Sequence, residues 1–274
     1  MRTVVVIGGV AGGMSAAARL RRLDPSARII VVEQGSEVSF ANCGLPYFLS
    51  GEIANRAALL LRTPESLAAT LALEVRVDTL ATAIDPAARE VTVRGPEGSE
   101  ERIGYDALVL APGAYAVRPP IPGIDHPRVR TLRTVPDADT IRGWVQDGAR
   151  RAVVLGAGFI GLEAAEALAH AGLEVSIVEA AAHVLPVIDA ELAAYVTEEL
   201  HAHGVDVHEG MAARAIRDLD GIPVVELADG TTLPADLVIL SVGVKPRSEL
   251  AAAAGLALTE QGAIIVDDDQ RTSD

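Results

Sequence analysis

The stretch Ala152-Val153-Val154-Leu155-Gly156-Ala157-Gly158-Phe159-Ile160-Gly161 decides the fold. Its first four residues are all apolar, as in a parallel strand covered on both faces. They run into a complete G-x-G-x-x-G, a helical pattern to Ala171, and a second strand, Val175 to Val178, that ends on Glu179. Strand, glycine turn, helix, strand and acid, with the acid 18 residues after the last glycine, is the order of a dinucleotide-binding βαβ unit. Gly156, Gly158 and Gly161 let the chain turn tightly and bring backbone N–H groups against a pyrophosphate at the helix N-terminus. Glu179 is then placed to accept hydrogen bonds from a ribose. Ala180-Ala181-Ala182 follow it where a 2′-phosphate site would want arginine, which favours NADH over NADPH.

The same order occurs upstream. Val4 to Ile7 is a β-branched run, followed by Gly8-Gly9-Val10-Ala11-Gly12-Gly13, an Ala-rich helix to Leu23, and a strand from Ile29 to Val32 ending on Glu33, 20 residues after Gly13. Val10 stands where the middle glycine usually falls. On the helix, Ser15, Arg19 and Arg22 lie at i, i+4 and i+7, a face that either holds phosphates or meets solvent, while Ala16, Leu20 and Leu23 are expected to face the sheet. Tyr105 to Gly113 reads as a further buried strand closing on the small-residue turn Ala111-Pro112-Gly113. Between them, Glu74 to Arg102 reads as a meander of short strands covering the far side of the first unit.

The proline cluster Pro119-Pro120-Ile121-Pro122-Gly123 marks the boundary between the two nucleotide units. Beyond Glu179 the pattern predicts a helix from Asp189 to His203, a strand from Val205 to Val207, and a hairpin joining Pro223–Leu227 to Leu233 through Asp229-Gly230. A buried strand from Leu237 to Val242 closes on Gly243, and a short strand from Ala263 to Val266 precedes a polar turn. His201, His203 and His208 lack cysteine or helical acid companions, so no metal site is expected there.

Cys43 is the only cysteine, inside Ser39-Phe40-Ala41-Asn42-Cys43-Gly44-Leu45-Pro46-Tyr47. Its small and polar neighbours point to an exposed, reactive thiol rather than an inert core residue. The segment to Ser50 is expected to start a helix with the thiol in its first turn, where the positive helix end favours a thiolate.

Half of the residues are apolar and 22% are charged, enough for a sizeable core. The net charge of −15 argues against nucleic acid or an anionic membrane as partner. No apolar run reaches the ~18 residues of a membrane span. Arg2, the Val4–Ile7 run and Ala16-Ala17-Ala18 imitate a secretory signal, but the glycine spacing and Glu33 account for them better. A lone cysteine forms no intrachain disulfide and fits a reducing, cytoplasmic setting.

With both glycine motifs and the thiol stretch placed, the chain resembles the pyridine nucleotide–disulfide oxidoreductase superfamily over its whole length. Within it, Ser39-Phe40-Ala41-Asn42-Cys43-Gly44-Leu45-Pro46-Tyr47 resembles the single-cysteine branch that includes the coenzyme A-disulfide reductases. The resemblance implies an α/β fold of two Rossmann-like, three-layer ββα dinucleotide-binding domains of the glutathione-reductase type. The second domain is inserted in the first: residues 1–118 begin an FAD-binding domain, 119–245 form the NAD(P)H-binding domain, and 246–274 start the return to the first.

It also implies FAD contacts at Gly8, Gly12, Gly13, Glu33, Ala111, Pro112 and Gly113, and NADH contacts at Gly156, Gly158, Gly161, Glu163, Glu179 and Gly243. Ser15, Arg19, Arg22, Ser39 and Asn42 match positions that hold coenzyme A. Cys43 is the implied catalytic residue, taking electrons from NADH through FAD and exchanging with a small-molecule disulfide, such as coenzyme A disulfide, or a persulfide.

The NADH oxidases and peroxidases, which cycle a cysteine sulfenic acid, are the rival branch. They usually carry a histidine in the first glycine loop, where this chain has Ala11. A Cys-x4-Cys redox pair is excluded because position 48 is Phe48. Two departures stand out. Ala69-Thr70-Leu71 is uncharged where coenzyme A-disulfide reductases tend to offer a basic residue. Relatives also continue past the equivalent of Asp274 into a second FAD strand and a dimerisation domain. On that comparison the sequence is expected to be truncated, the homodimer of the full-length family is in question, and a catalytically incomplete nucleotide-binding fragment is the further alternative.

Overall fold

The computed structural model describes residues 1–274 as two compact units. One comprises Met1–Ala41, Leu60–Tyr115 and Lys245–Asp274, the other Asn42–Leu59 and Ala116–Val244. The thiol segment Asn42–Leu59 thus groups with the second unit, not with the 1–118 span in which the sequence reading places it.

The first unit is built on a four-stranded parallel sheet in the order Leu73–Arg76, Arg28–Val32, Thr3–Ile7, Ala107–Leu110. Side chains alternate across a strand, and the burial divides accordingly. Val4 and Val6 pack with Met14 and Ala17 of the helix Ala11–Leu23 and with Leu67 of the helix Pro64–Leu71. Val5 and Ile7 pack on the other face with Val91, Val93 and Ile103, from the antiparallel sheet Leu80–Asp85, Glu90–Arg94, Glu100–Gly104. Helix, parallel sheet and antiparallel sheet are the three layers expected. The meander begins only at Leu80, because Leu73–Arg76 pairs in parallel with Arg28–Val32.

One helix expectation fails here. Leu23 is 65% exposed, and the inward-facing positions end in Arg21. Its guanidinium donates to the carbonyls of Leu71 (2.7 Å), Pro25 (2.8 Å), Ala27 (2.8 Å) and Ala72 (2.9 Å). A charged group that satisfies four backbone acceptors at a helix end outcompetes a leucine for that position.

The second unit repeats the plan. Its parallel sheet has five strands, in the order Asp206–His208, Glu174–Val178, Arg151–Leu155, Leu237–Leu240, Val129–Thr131. Val153 and Leu155 pack with Ile216, Val225 and Leu227 of an antiparallel sheet, whose strands are Ala213–Leu219, Ile222–Leu227 and Thr232–Pro234. The strand Ala213–Leu219 interleaves Arg214, Arg217 and Asp218 with its four apolar residues and escapes sequence reading. It is joined to its neighbour by Asp220 and Gly221, both with positive φ (54° and 83°), as a two-residue hairpin requires. At the far end of the chain, Ala263–Val266 forms no strand. Leu258 and Ile264 make a single antiparallel bridge there.

Candidate functional site

The two glycine turns are the same construction, bond for bond. Gly8 N–H donates to the Val32 carbonyl at 2.9 Å, and Gly156 N–H to that of Val178 at 2.8 Å. Ala111 N–H donates to Ile7 and Ser241 N–H to Leu155, each at 2.8 Å. Ser39 N–H donates to Gly9 and Leu185 N–H to Ala157, each at 2.9 Å, and both donors have positive φ (49° and 46°).

Steric space explains which glycines the fold needs. A Cβ on Gly8 (φ 101°) would lie 2.0 Å from the Ala111 carbonyl oxygen, and one on Gly13 would lie 1.8 Å from the oxygen of Gly8. In the second unit, a Cβ on Gly161 would lie 1.9 Å from the oxygen of Gly156. These positions close the turn against the helix. Gly158 and Gly243 have nothing within 4 Å of a Cβ, and Gly12 has only ordinary contact at 3.6 Å. They leave bare backbone that a pyrophosphate could approach closely. Both turns therefore suit a dinucleotide: Gly8, Gly12, Gly13 and Glu33 in one unit, and Gly156, Gly158, Gly161 and Glu179 in the other. The turn Ala111-Pro112-Gly113 is half-exposed and ends in a left-handed Gly113 (φ 73°).

The two acids are equivalent as well. Glu33 accepts Gly9 N–H at 2.7 Å and Gly35 N–H at 2.8 Å. Glu179 accepts Ala157 N–H and Ala181 N–H, each at 2.7 Å. Each carboxylate ties the strand end to the glycine turn and has further lone pairs that a ribose hydroxyl could use.

Cys43 sits in a short 3-10 turn, Asn42–Gly44, ahead of the helix Leu45–Ser50, rather than in the helix's first turn. Pro46 near that helix's start lacks the N–H that would extend it backwards. The thiol is exposed. It lines a cavity of about 300 Å³ with Asn42, Glu163, Ser241 and Gly243. The structure thus brings Cys43 and Asn42 together with two of the residues assigned to the nicotinamide cofactor. Ser39 belongs to the first unit and Asn42 to the second. Ser15, Arg19 and Arg22 are all exposed along one face of the helix Ala11–Leu23.

Ser241 is a site residue that sequence reasoning missed. Its hydroxyl lies 2.9 Å from the Leu155 carbonyl and 2.8 Å from that of Gly156, so it holds the start of the glycine turn. Aligning Asp106–Gly113 with Asp236–Gly243 would have singled it out, since Ser241 takes the place of Ala111. Thr131, Leu132 and Arg133 also line the cavity, and no motif announces them.

Comparison with known proteins gives a match to the pyridine nucleotide-disulphide oxidoreductases across residues 2–274. The chain belongs to that family. Its members work with FAD and NAD(P)H. The chain is 31% identical over 275 residues to a coenzyme A disulfide reductase of Staphylococcus haemolyticus, covering 100% of this chain and 61% of the relative. It is 32% identical over 273 residues to an NADH oxidase of Methanocaldococcus jannaschii, covering 98% and 60%. Among solved structures it superposes on reduced Bacillus anthracis CoADR-RHD with a TM-score of 0.96 at 43% identity, over 100% of this chain and 49% of that one. The chain spans 60–61% of the length of these two curated relatives. No helix is long and apolar enough to cross a membrane.

Proposed function

We propose that the chain serves an NADH-dependent flavoprotein reductase of coenzyme A disulfide, or a related small disulfide or persulfide, with Cys43 as its redox thiol. The observation that carries this reading is the single exposed cysteine lining one cavity with Glu163, Ser241 and Gly243. The relative from S. haemolyticus supports the substrate class.

Gly8, Gly12, Gly13, Glu33 and the Ala111–Gly113 turn would hold FAD. Gly156, Gly158, Gly161, Glu163, Glu179 and Gly243 would hold the nicotinamide dinucleotide. Glu179, followed by three alanines, supports NADH over NADPH, since none of the three residues after it is an arginine to pair a 2′-phosphate. Ser15, Arg19, Arg22, Ser39 and Asn42 would bind coenzyme A, the arginines as phosphate partners. When bound, FAD supplies the two-electron relay between nicotinamide and sulfur. The thiolate of Cys43 attacks one sulfur of the substrate disulfide, forms a mixed disulfide and expels the other half as thiolate. Two electrons from NADH and one proton then release the second thiol and restore the Cys43 thiolate. The working setting is a reducing cytoplasm, and a homodimer is the assembly of the full-length family rather than one assigned to this chain.

A second reading has one observation in its favour, the likeness to an NADH oxidase. There Cys43 would cycle through a sulfenic acid and the consumed oxidant would be oxygen or peroxide. Cys43→Ser separates the readings when both coenzyme A release and oxygen uptake are followed. In the disulfide reductase it abolishes coenzyme A release and leaves bleaching of the yellow flavin by NADH intact. A colourless protein that binds only the nicotinamide, or a Cys43→Ser variant that still turns over coenzyme A disulfide, overturns the proposal.

A further inference from the structure

The segment that carries the thiol packs through its helix Leu45–Ser50 on two helices of the second unit, Phe159–His170 and Val135–Gln146, and Val135–Gln146 supplies polar contacts to it. The Arg142 guanidinium lies 4.1 Å from the centroid of the Phe48 ring. It also donates to the carbonyls of Ile53 (3.1 Å) and Ala54 (3.2 Å). Three residues earlier on the same helix, and so on the same face, Asp139 pairs with Arg56 at 2.7 Å. One helical face therefore grips the segment at Phe48, at Ile53–Ala54 and at Arg56, all within 13 residues of Cys43. Phe48 is buried while the thiol is exposed. The grip is on the part that does not react, and the part that reacts is left open.

We infer that Arg142, assisted by Asp139, is a positioning residue for Cys43: it fixes the direction in which the sulfur meets the cavity shared with Glu163 and Ser241. The guanidinium is suited to this because its planar fork donates to two carbonyls while its face stacks on an aromatic ring. Position 48, where a Cys-x4-Cys pair would carry its second sulfur, holds instead the ring that receives the stack. Arg142 holds the helix that follows the thiol's 3-10 turn, and through it the placement of a sulfur that has no second sulfur to pair with.

This inference rests on Cys43 being the reacting group, but its test does not require turnover. Cys43 is the sole cysteine, so a nitroxide methanethiosulfonate label reports on that position alone. In the parent chain the room-temperature spectrum is expected to be dominated by an immobilised component. Arg142→Gln should raise the mobile fraction by about threefold, the scale of one lost cation–π contact. Arg128→Gln, which removes a guanidinium stacked on Trp144 instead, should leave it unchanged. Where Arg142→Gln does not fold by circular dichroism, Asp139→Asn removes only the pairing to Arg56 and should move the spectrum in the same direction. A folded Arg142→Gln or Asp139→Asn variant with the parent's line shape overturns the inference. Loss of coenzyme A disulfide turnover in the parent would overturn the proposed substrate and leave the spectra standing.

Discussion

The Glu179 carboxylate accepts the Ala157 N–H at 2.7 Å, which binds the end of one strand to the second residue of the glycine turn that follows another. Its other oxygen holds Ala181 N–H. A glutamine could satisfy one amide but would turn an N–H2 group toward the second donor. Hydrogen bonds to charged acceptors are worth roughly 1.5–3 kcal/mol, so Glu179→Gln should weaken NADH binding about tenfold or more. On the proposed NADH preference, discrimination against NADPH should also narrow, since the negative charge that would repel a 2′-phosphate is gone. Fluorescence titration with both cofactors measures this, and an NADH affinity within about twofold of the parent contradicts it.

The glycines of the second motif should respond differently to one added methyl. Gly161→Ala places its Cβ 1.9 Å from the Gly156 carbonyl oxygen and 2.6 Å from the Ser241 hydroxyl, so the turn must open and stability falls by an overpacking cost of about 1–3 kcal/mol. Gly158→Ala meets nothing within 4 Å and should melt with the parent. It should still lose NADH binding, because the methyl occupies the approach to the pyrophosphate. Paired melting and titration curves decide this. Normal NADH binding by Gly158→Ala would remove that glycine from the cofactor site.

Much of this architecture is written in period and punctuation. Val4–Ile7 and Ala152–Leu155 announce buried strands, and Glu33 and Glu179 announce where the partner strands end. What escapes is held by side chains acting over long sequence distances. Arg21 reaches Leu71 and Ala72 across some fifty residues, and Arg142 reaches Ile53 across 89. Neither arginine differs locally from a solvated one. The grouping of Asn42–Leu59 with the second unit is illegible for the same reason, since it depends on the helix Leu45–Ser50 meeting the distant helices Val135–Gln146 and Phe159–His170 rather than on any pattern within the segment. Ser241 was readable, but only by treating Asp106–Gly113 and Asp236–Gly243 as repeats of each other.

Arg21 and Arg22 are neighbours with opposite consequences. Arg21→Met keeps an apolar stem and abandons carbonyls at Pro25, Ala27, Leu71 and Ala72. Its loss should cost on the order of 3 kcal/mol in urea unfolding. Arg22 is exposed, so Arg22→Met should stay within about 0.5 kcal/mol of the parent while raising the KM for coenzyme A disulfide. Equal stability losses in the two variants would show that the Arg21 bonds carry no special weight.

Asp236 makes the acid response of the second unit predictable. Burial alone would raise its carboxyl, but hydrogen bonds from the Arg150 and Arg151 N–H groups (2.8 and 3.0 Å) and from the Arg151 guanidinium (3.3 Å) hold it below the usual carboxylate range. The same bonds pin the start of the strand Arg151–Leu155 beside Leu237–Leu240, as Asp106 does for Thr3 at 2.6 Å in the first unit. A folded-state pKa lower than the unfolded one contributes stability above the unfolded value, about 3.9, and loses it as pH falls through the folded value. Asp236→Asn should therefore be less stable than the parent by on the order of 1–2 kcal/mol at neutral pH. The difference should shrink below about pH 4, where the parent's carboxylate also takes up a proton. Urea melts at neutral pH and at about pH 3 test this, and a gap of the same size at both would assign the effect to packing rather than to the charge on Asp236.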